Sequence, residues 1–358
     1  MKKALIAMSG GVDSAVAAKL MLDDGFDCVG CTMRLYDNED AGVSRSRTCC
    51  SLDDVEDARS VAYRLGIPFY VFNLTDAFRE EVIGHFVRSY EAGITPNPCI
   101  ECNRKMKFGR LFDRADVLEC DCVVTGHYAR ISFDGTRYLL QKAADRDKDQ
   151  SYVLYGMTQE QLSRTRFPLG TLTKPEVRKI AAENGFSNAA KPDSQDICFV
   201  PDGNYARVIE LHTGKKPEPG PFVDENGNVL GTHKGIIHYT VGQRKGLGIS
   251  GGSPLYVTAI DPVRNTVTLS HASGTDSGLY TREVIAHDIN LIVADKLTSP
   301  LRVRAKLRYR QPEQPATVEQ IDDDTLLIRF DEPQRAAAKG QAVVLYDGET
   351  VVGGGTIS

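Results

Sequence analysis

The residues with the clearest capacity for chemistry lie near the start of the chain, in Ala4–Ser14, which reads ALIAMSGGVDS. An apolar run of strand length, Ala4–Met8, meets a glycine turn, and Ala15–Leu22 then has the composition of a helix. N–H groups in the first turn of a helix lack intrahelical acceptors, and the aligned peptide dipoles favour an anion there. The order of strand, glycine turn and helix therefore predicts a phosphate-binding site.

The side chains of this loop suit a nucleotide. Gly10 and Gly11 let the backbone approach a phosphate because they carry no Cβ. Ser9 and Ser14 supply hydroxyl donors. The carboxylate of Asp13 is a candidate ligand for Mg²⁺ held against phosphate oxygens.

SGGVDS is neither of the two commonest nucleotide loops. No Gly-Lys-Ser/Thr follows the glycines, as a Walker A loop requires, and the third glycine of the dinucleotide fingerprint is missing. The stretch resembles the PP-loop of the ATP pyrophosphatase superfamily, whose members split ATP into AMP and pyrophosphate while adenylating a substrate. The alternative is an ordinary strand–helix turn with a serine cap. Six consecutive matching residues after an apolar strand favour ATP binding.

The chain after this loop alternates strand and helix patterns. Strands are predicted at Asp27–Met33, Phe69–Asn73 and Asp121–Tyr128, and helices at Leu52–Leu65 and Ala77–Ala92. This alternation predicts an α/β fold with a doubly wound parallel sheet. Ligands of such sheets bind beyond the carboxyl ends of the strands. The residues expected at the nucleotide are Ala7, Met8, Ser9, Gly10, Gly11, Val12, Asp13 and Ser14, with Met33 and Gly126 at the ends of later strands.

The length of 358 residues is too great for one core, so we expect several domains. Residues 213–228 are rich in glycine and proline, and short β-type runs separated by turns fill the chain from residue 254. We expect a catalytic PP-loop domain over 1–200, a small central α+β module over 201–278 and a C-terminal β-barrel-like domain over 279–358. No apolar run reaches membrane-spanning length, which predicts a cytoplasmic protein without a membrane partner.

The cysteines form a second candidate centre. All nine lie in the first 198 residues: Cys28, Cys31, Cys49, Cys50, Cys99, Cys102, Cys120, Cys122 and Cys198. A disulfide framework is not expected in a cytosolic chain of this size. Cys99 and Cys102 form a C-x-x-C motif after Asn97-Pro98, a turn signal that predicts a loop. Nearby cations at Arg104, Lys105, Lys107 and Arg110 would stabilise a thiolate and attract a phosphate backbone.

Several interpretations of these thiols remain open. A structural zinc site ranks low, because no second C-x-x-C or histidine pair stands at a usual spacing. An iron–sulfur site from Cys99, Cys102 and Cys198 is chemically allowable. In a redox pair, one thiol would carry a persulfide and the other would resolve it by disulfide exchange. Inert buried thiols fit Cys28, Cys31, Cys120 and Cys122, which lie in or beside predicted core strands.

Motifs along nearly the whole chain decide between families. TPNPCIECNRKMKFG, VVTGHYAR, DRDKDQSYVL, KPDSQDICF, GTHKGIIHYTVGQRKGLGI and LRYRQ follow SGGVDS in order. Together they resemble the bacterial tRNA-uridine 2-sulfurtransferases, which make 2-thiouridine at the wobble position of tRNA. The resemblance implies ATP, Mg²⁺, a tRNA with a wobble uridine, and a sulfur donor such as a cysteine desulfurase or a sulfur-relay protein. It places the nucleophile on Cys102 and the persulfide on Cys198, with Asp13 also in the catalytic set.

The resemblance also implies an RNA surface. Its base-contacting loop falls on Asn97, Pro98 and Cys99, and further contacts fall on His127, Lys148, Asp149, Gln150, Arg308, Tyr309 and Gln341. Independently, Leu301–Arg310 reads LRVRAKLRYR, with a cation at every second position. Strand side chains alternate faces, so five cations should project from one side, either as a solvated face or as a phosphate-tracking patch. The absence of acids within the run favours the phosphate-tracking patch.

Two other functions compete with tRNA thiolation. A PP-loop ligase that adenylates a small metabolite would explain the ATP loop but would leave the C-x-x-C motif, Cys198 and the basic strand without a task. A non-catalytic RNA-binding protein with a structural metal would not release pyrophosphate when tRNA is supplied.

Overall fold

A computed structural model describes residues 1–37, 40, 52–192, 197–249, 253–271 and 278–358. Cys49 and Cys50, and residues 193–196 before Cys198, lie outside the described residues. The chain divides into two compact units. The first comprises residues 1–83, 98–203 and 349–352, and the second comprises residues 84–97, 204–348 and 353–358.

The first unit is built on a five-stranded parallel sheet of order β3-β2-β1-β4-β7. Its strands are β1 (Lys3–Ala7), β2 (Asp27–Arg34), β3 (Phe69–Asn73), β4 (Cys122–Val124) and β7 (Thr165–Arg166). The order reverses between β1 and β4, which is the switch point where doubly wound sheets bind ligands. The predicted α/β fold is therefore confirmed, although β4 is shorter than the predicted Asp121–Tyr128 strand.

Helices flank this sheet. They are α1 (Val12–Asp23), α2 (Leu52–Leu65), α3 (Thr75–Phe78), α5 (Pro98–Glu101), α6 (Leu111–Val117), α7 (Gln159–Ser163) and α8 (Lys174–Glu183). Two stretches are π-helical, Arg79–Ile83 and Cys102–Arg110, and Ser151–Leu154 is a 3₁₀ turn. Apolar residues of α1 and β1, such as Val16 and Ile6, are fully buried in the core between sheet and helices.

A hairpin of β5 (Ala129–Phe133) and β6 (Tyr138–Lys142) completes the first unit. Thr350, at the start of β17 (Thr350–Ile357), pairs with Gln141 of this hairpin.

The second unit contains a mixed four-stranded sheet of order β10-β11-β8-β9. Its strands are β8 (Gly220–Val223), β9 (Val229–His233), β10 (Leu255–Asp261) and β11 (Thr266–His271). Phe222, Val257 and Val267 fill its core. Two helices, α4 (Gly84–Glu91) and α9 (Tyr205–Thr213), and the 3₁₀ turn Ile236–His238 belong to the same unit. The predicted helix over 77–92 is thus divided by the π-helical turn at Arg79–Ile83.

The rest of the second unit is the predicted barrel. Six antiparallel strands run in the order β12-β15-β14-β13-β16-β17, and β12 also pairs with β17, which closes the sheet. The remaining strands are β12 (Tyr280–Leu291), β13 (Leu301–Lys306), β14 (Gln314–Gln320), β15 (Leu326–Arg335) and β16 (Ala342–Asp347). Closure leaves the barrel without a free edge. Among the described residues, no helix is long and apolar enough to cross a bilayer.

Candidate active site

The glycine loop between β1 and α1 is fixed by its own serines. The backbone N–H of Ser9 donates to Ser14 Oγ at 3.1 Å, and Ser14 Oγ donates to the Gly11 carbonyl at 3.0 Å. Gly10 has a φ of +75°, which favours glycine. A Cβ there would also stand 2.4 Å from the carbonyl oxygen of Asp54. The loop is therefore preformed, and its backbone conformation depends on Gly10.

A segment far along the chain supports the same loop. Asn188 Nδ2 donates to the Gly10 carbonyl at 3.0 Å, and the Oδ1 atom of this buried side chain has no hydrogen-bond partner. Close by in sequence, Lys191 Nζ binds the carboxylates of Asp54 and Asp57 at 2.6 and 2.8 Å. These contacts tie the glycine loop and α2 to the residues that precede Cys198. Sequence reasoning missed Asn188, because a lone asparagine between helices carries no pattern.

Gly126 lies where the switch-point argument requires. It follows β4, and a Cβ there would be 2.8 Å from Asp13 C and Ser14 N. Only glycine allows this close packing of the β4 end against the start of α1. Met33 lies near the end of β2 and is half-buried. Their predicted role at the nucleotide stays a prediction.

Asp13 is engaged by two side chains that the sequence did not indicate. Lys174 Nζ donates to both carboxylate oxygens at 2.7 and 2.9 Å, and the Tyr128 hydroxyl donates to Oδ1 at 2.8 Å. The Lys174 side chain is 8% exposed and that of Asp13 32%. The donor set around Asp13 does not fit the predicted Mg²⁺ ligand, because an ammonium group already occupies both oxygens.

The position of Lys174 follows from local sequence. Thr173 and Glu176 form a capping box at the start of α8, in which the Glu176 carboxylate accepts from the Thr173 N–H at 2.7 Å. The Lys174 N–H donates to Asp145 Oδ2 at 2.9 Å. Lys174 begins α8, but its contact with Asp13 spans 161 positions and has no signal in the sequence.

The C-x-x-C motif lies on helical backbone, so the predicted loop was wrong. Pro98 opens α5, where its missing N–H costs nothing, and Cys102 begins the π-helical stretch Cys102–Arg110. Cys99 is exposed and Cys102 is buried. Burial raises the pKa of the Cys102 thiol to about 11, the nearby Cys99 acts in the same direction, and the charge of Lys107 opposes both.

His127, predicted to contact RNA, is buried in this structure. Its Nδ1 lies 2.7 Å from Thr125 Oγ1 and its Nε2 lies 3.3 Å from Lys107 Nζ. The rings of Phe108 and Phe167 pack against the imidazole at centroid distances of 6.0 and 5.8 Å. Burial, and next the charge of Lys107, hold the pKa of His127 well below its usual value. The histidine is therefore neutral at physiological pH.

Cys198 is half-buried, and its backbone is held by an aromatic cluster. The hydroxyl of the buried Tyr36 donates to the Cys198 carbonyl at 2.6 Å. Phe199 is buried and meets the Phe78 ring edge-on at 5.7 Å, and Phe78 also contacts Tyr36 at 5.9 Å. Tyr36 was missed because its hydroxyl acts across 162 positions.

The thiols that the structure describes are not assembled as metal ligands. Within the described ranges, no group of three His, Cys, Asp or Glu side chains is placed to hold a metal ion. Cys99, Cys102 and Cys198 all lie in these ranges, and no disulfide joins them. The geometry therefore lends no support to the three-cysteine cluster.

In the turn around residues 145–151, the side chains of Asp149 and Gln150, both predicted to contact RNA, form hydrogen bonds within the protein. Asp149 Oδ1 accepts from the Ala143 N–H at 2.9 Å, and its Oδ2 accepts from Ser151 Oγ at 2.8 Å. Gln150 Oε1 accepts from the Tyr128 N–H at 2.9 Å. Lys148 is half-buried. Asp149 and Gln150 thus fix the backbone beside Tyr128, which is itself bound to Asp13.

The basic strand differs from the prediction in length and pairing. β13 ends at Lys306, so Arg308, Tyr309 and Arg310 lie beyond it. Within the strand the predicted alternation is confirmed: Arg302 and Arg304 are exposed, while Val303 and Ala305 are buried. Acids on neighbouring segments meet both arginines, so the absence of acids holds only within the strand itself, and phosphate tracking stays a prediction.

Each of the two exposed arginines of β13 has a carboxylate partner. Arg302 binds both Asp331 oxygens at 2.8 Å, and Arg304 lies 3.7 Å from Glu313. The sequence of one strand does not show which acidic side chains of adjacent segments lie beside it.

The other predicted RNA contacts of the second unit have structural partners. Arg308 Nη2 donates to the carbonyls of Val241 and Ala336 at 3.3 and 2.7 Å. Gln341 Nε2 donates to the Thr95 carbonyl at 2.9 Å. Tyr309 is 37% exposed.

Comparison with known proteins agrees with this arrangement. A family model described as the tRNA methyl transferase HUP domain matches residues 2–202. Models of the PRC-barrel domain and the aminomethyltransferase β-barrel domain match residues 207–271 and 281–357. The chain is 51% identical over 358 residues to a tRNA-specific 2-thiouridylase from Clostridioides difficile, covering 99% of this chain and 98% of that protein. The chain belongs to the tRNA-specific 2-thiouridylase family.

Other relatives in this family are similarly close. A tRNA-specific 2-thiouridylase from Acetivibrio thermocellus is 50% identical, covering 99% of both chains. Among solved structures, a 4-thiouridine synthetase–RNA complex with bound ATP matches 60% of this chain and 54% of its own, at 18% identity and a TM-score of 0.35.

Proposed function

We propose that the protein is an ATP-dependent tRNA-uridine 2-sulfurtransferase that converts a wobble uridine to 2-thiouridine. The observation that carries this is the identity of about half of all positions, along 99% of the chain, with relatives named tRNA-specific 2-thiouridylase. The preformed glycine loop at the sheet's switch point supports ATP as the activating substrate.

The chemistry requires activation because oxide is a poor leaving group. Attack of the uridine C2 oxygen on ATP forms a C–O–P bond and releases pyrophosphate. A persulfide on Cys198 then attacks C2, and AMP leaves with the former C2 oxygen. Finally the Cys102 thiolate attacks Cys198 Sγ. The electron pair of the broken S–S bond goes to the base sulfur, and a Cys102–Cys198 disulfide forms. An external dithiol must reduce that disulfide before the next cycle.

This scheme sets a geometric requirement. A disulfide needs Cα atoms about 4.4–6.8 Å apart. Cys102 is buried at the start of its π-helical stretch, and Cys198 is half-buried. We propose that the two thiols meet within this distance when tRNA and ATP are bound. The Tyr36 hydrogen bond and the Phe199 contacts support a defined position for the Cys198 backbone.

We assign ATP contacts to the predicted loop and strand-end residues. Backbone N–H groups at Gly10, Gly11 and Val12 suit phosphate oxygens, and Gly126 keeps the β4 end close to the loop. Because Lys174 binds both Asp13 oxygens, the proposed reaction does not use Mg²⁺ on that carboxylate. The ammonium group of Lys174 instead places a fixed positive charge beside the loop.

We further propose a tRNA with a wobble uridine as substrate, a cysteine desulfurase or sulfur-relay protein as donor, and the cytoplasm as location. Exposed Cys99 in α5 and half-buried Asn97 just before it suit contact with the target base. The three-part division at 1–200, 201–278 and 279–358 is supported by the limits of the matching family models.

Three alternatives are weaker candidates. A ligase for a small metabolite has no use for Cys102 or Cys198. Methyl transfer, which the family-model description names, would not require a nucleotide loop of the PP type. The iron–sulfur variant needs three gathered thiols, which the described residues do not show.

The decisive experiment is mass spectrometry of tRNA nucleosides after incubation of the protein with ATP and a persulfide source. We expect 2-thiouridine, and pyrophosphate release that depends on tRNA. Pyrophosphate release without tRNA, with no thiolated nucleoside, would point to the metabolite ligase. A methylated nucleoside would overturn the proposal.

A further inference from the structure

A small polar network in the first unit joins the Cys102 segment to the residues after β4. Lys107 Nζ lies 3.3 Å from His127 Nε2, and His127 Nδ1 lies 2.7 Å from Thr125 Oγ1. An ammonium group can only donate, so Nε2 must accept, and in the neutral ring Nδ1 then carries the hydrogen and donates to Thr125. These two hydrogen bonds fix the tautomer of His127 and direct the Lys107 ammonium group toward the imidazole.

The π-helical backbone places Lys107 about one turn beyond Cys102. In a π-helix the N–H of residue i+5 bonds the carbonyl of residue i, and Cys102 and Lys107 are five positions apart within the stretch Cys102–Arg110. In an α-helix the same separation would rotate Lys107 about 140° away from Cys102. The wider π-helical turn thus leaves the Lys107 side chain closer to the helix side that carries the Cys102 thiol than an α-helical turn would. Such turns occur frequently at functional sites.

We propose that Lys107, oriented by His127, is a positioning residue that stabilises the Cys102 thiolate for its attack on the sulfur of Cys198. The proposal rests on the function proposed above. In this step the Cys102 proton leaves to solvent, the thiolate electron pair forms the new S–S bond to Cys198, and the pair of the broken S–S bond goes to the base sulfur. In this proposal His127 acts through Lys107.

The surrounding charges agree with this role. Burial raises the pKa of Cys102, the positive charge of Lys107 lowers it and so favours the ionised thiol, and Cys99 raises it slightly further. Glu81 lies on the neighbouring π-helical turn, but it pairs with Arg110 at 2.6 Å, at the other end of the segment. His127 stays neutral, because its pKa is lowered, and remains an acceptor for Lys107.

The test compares labelling of Cys102 by iodoacetamide across pH, read by peptide mass spectrometry on the full chain. Lys107→Met should raise the pH midpoint of labelling by about one unit, which corresponds to about tenfold slower labelling below the midpoint. Lys107→Arg should restore most of the rate, and His127→Asn should give an intermediate shift. Lys105→Met is the matched control, because Lys105 is exposed on the same segment. It should label like the parent protein.

Equal profiles for Lys107→Met and Lys105→Met would overturn the proposal, as would failure of Lys107→Arg to restore the rate. Thermal unfolding of each variant identifies one that does not fold, in which case Lys107→Arg and His127→Asn decide alone. Labelling requires neither ATP nor tRNA, so it is independent of the thiolation assay that tests the proposed function. In single turnover, Lys107→Met should slow sulfur release while leaving the KM for ATP unchanged.

Discussion

Lys174 Nζ binds both carboxylate oxygens of Asp13, at 2.7 and 2.9 Å, next to the glycine loop. The lysine is buried at the first position of α8, and the aspartate lies in the first turn of α1. This ion pair joins two helices that flank the sheet and places the positive charge at the site proposed for ATP phosphates. It also explains why Asp13 is not available as a simple metal ligand.

The first prediction concerns this pair. Lys174→Met leaves the partly buried Asp13 carboxylate without its main partner, and we expect a loss of about 1–3 kcal/mol in the free energy of unfolding. We also expect the KM for ATP in tRNA-dependent pyrophosphate release to rise about tenfold, which corresponds to about 1.4 kcal/mol of binding. Lys174→Arg should recover part of the stability, because arginine keeps the charge, but its planar guanidinium cannot place that charge where the compact lysine ammonium lies.

The control for Lys174→Met is Lys179→Met, because Lys179 lies on the same helix with its side chain 75% exposed. It should change neither stability nor KM. An unchanged KM in Lys174→Met, with only stability reduced, would limit the pair to a structural role.

The sequence predicted the parts of this site that depend on local pattern. The strand–glycine–helix unit, the parallel sheet and the closed barrel follow from periodicity and turn residues, which act within a few positions. Gly126 lies beside Asp13 and Ser14, as the convergence of strand ends in a doubly wound sheet suggests, and its role at the nucleotide stays a prediction. Lys174, Tyr36 and Asn188 were not found, because each acts on a residue more than 160 positions away.

Two differences between the sequence predictions and the structure each have one physical origin. Asn97-Pro98 favoured a loop for the cysteine motif, but proline is also well suited to the first position of a helix, where Pro98 stands. The basic alternation of β13 was real, yet Asp331 and Glu313 come from segments that a single-strand pattern does not contain.

The second prediction separates the two sulfur mechanisms. In the disulfide mechanism, Cys102→Ser and Cys198→Ser should each abolish thiolation, because serine can neither carry a persulfide nor resolve one. Cys99→Ser, at an exposed position, should retain activity. An iron–sulfur mechanism would require all three cysteines.

The measurement for the cysteine series is 2-thiouridine in tRNA nucleosides, with the absorption spectrum of protein prepared without oxygen as a second readout. Full activity in either Cys102→Ser or Cys198→Ser defeats the disulfide mechanism. Loss of activity in Cys99→Ser together with a charge-transfer band would favour the cluster.

The third prediction concerns Tyr36. Its hydroxyl donates to the Cys198 carbonyl at 2.6 Å while its ring packs against Phe78, so Tyr36→Phe removes this hydrogen bond and keeps the aromatic ring. A hydrogen bond contributes about 1 kcal/mol, so its loss changes the population in which the Cys198 backbone is held in place by about fivefold. We expect iodoacetamide labelling of Cys198 to rise and single-turnover thiolation to fall by up to that factor.

The matched control for Tyr36 is Tyr63→Phe, because Tyr63 is 88% exposed on α2. That variant should match the parent in both assays. If Tyr36→Phe also matched the parent, the hydrogen bond would have no part in positioning Cys198.

The fourth prediction concerns the outward cations of β13. Each phosphate neutralised by a cation contributes about −0.9 to the slope of log affinity against log salt, by analogy with B-DNA. If Arg302 and Arg304 exchange their carboxylates for tRNA phosphates, the double variant Arg302→Gln/Arg304→Gln should flatten the slope by about 1.8. Arg264→Gln is the control, because this side chain is 81% exposed in the turn between β10 and β11.

The carboxylate partners supply an opposite test of the same surface. Asp331 holds Arg302 in place but repels phosphate, so Asp331→Asn releases the arginine and removes a negative charge from that face. We expect tighter tRNA binding at low salt and a steeper slope, measured by filter binding over a salt series. A steeper slope in Asp331→Asn and a flatter one in the double arginine variant together place β13 at the RNA. Unchanged slopes in both would exclude this strand and leave Tyr309 and the loop at Asn97 as the predicted contacts.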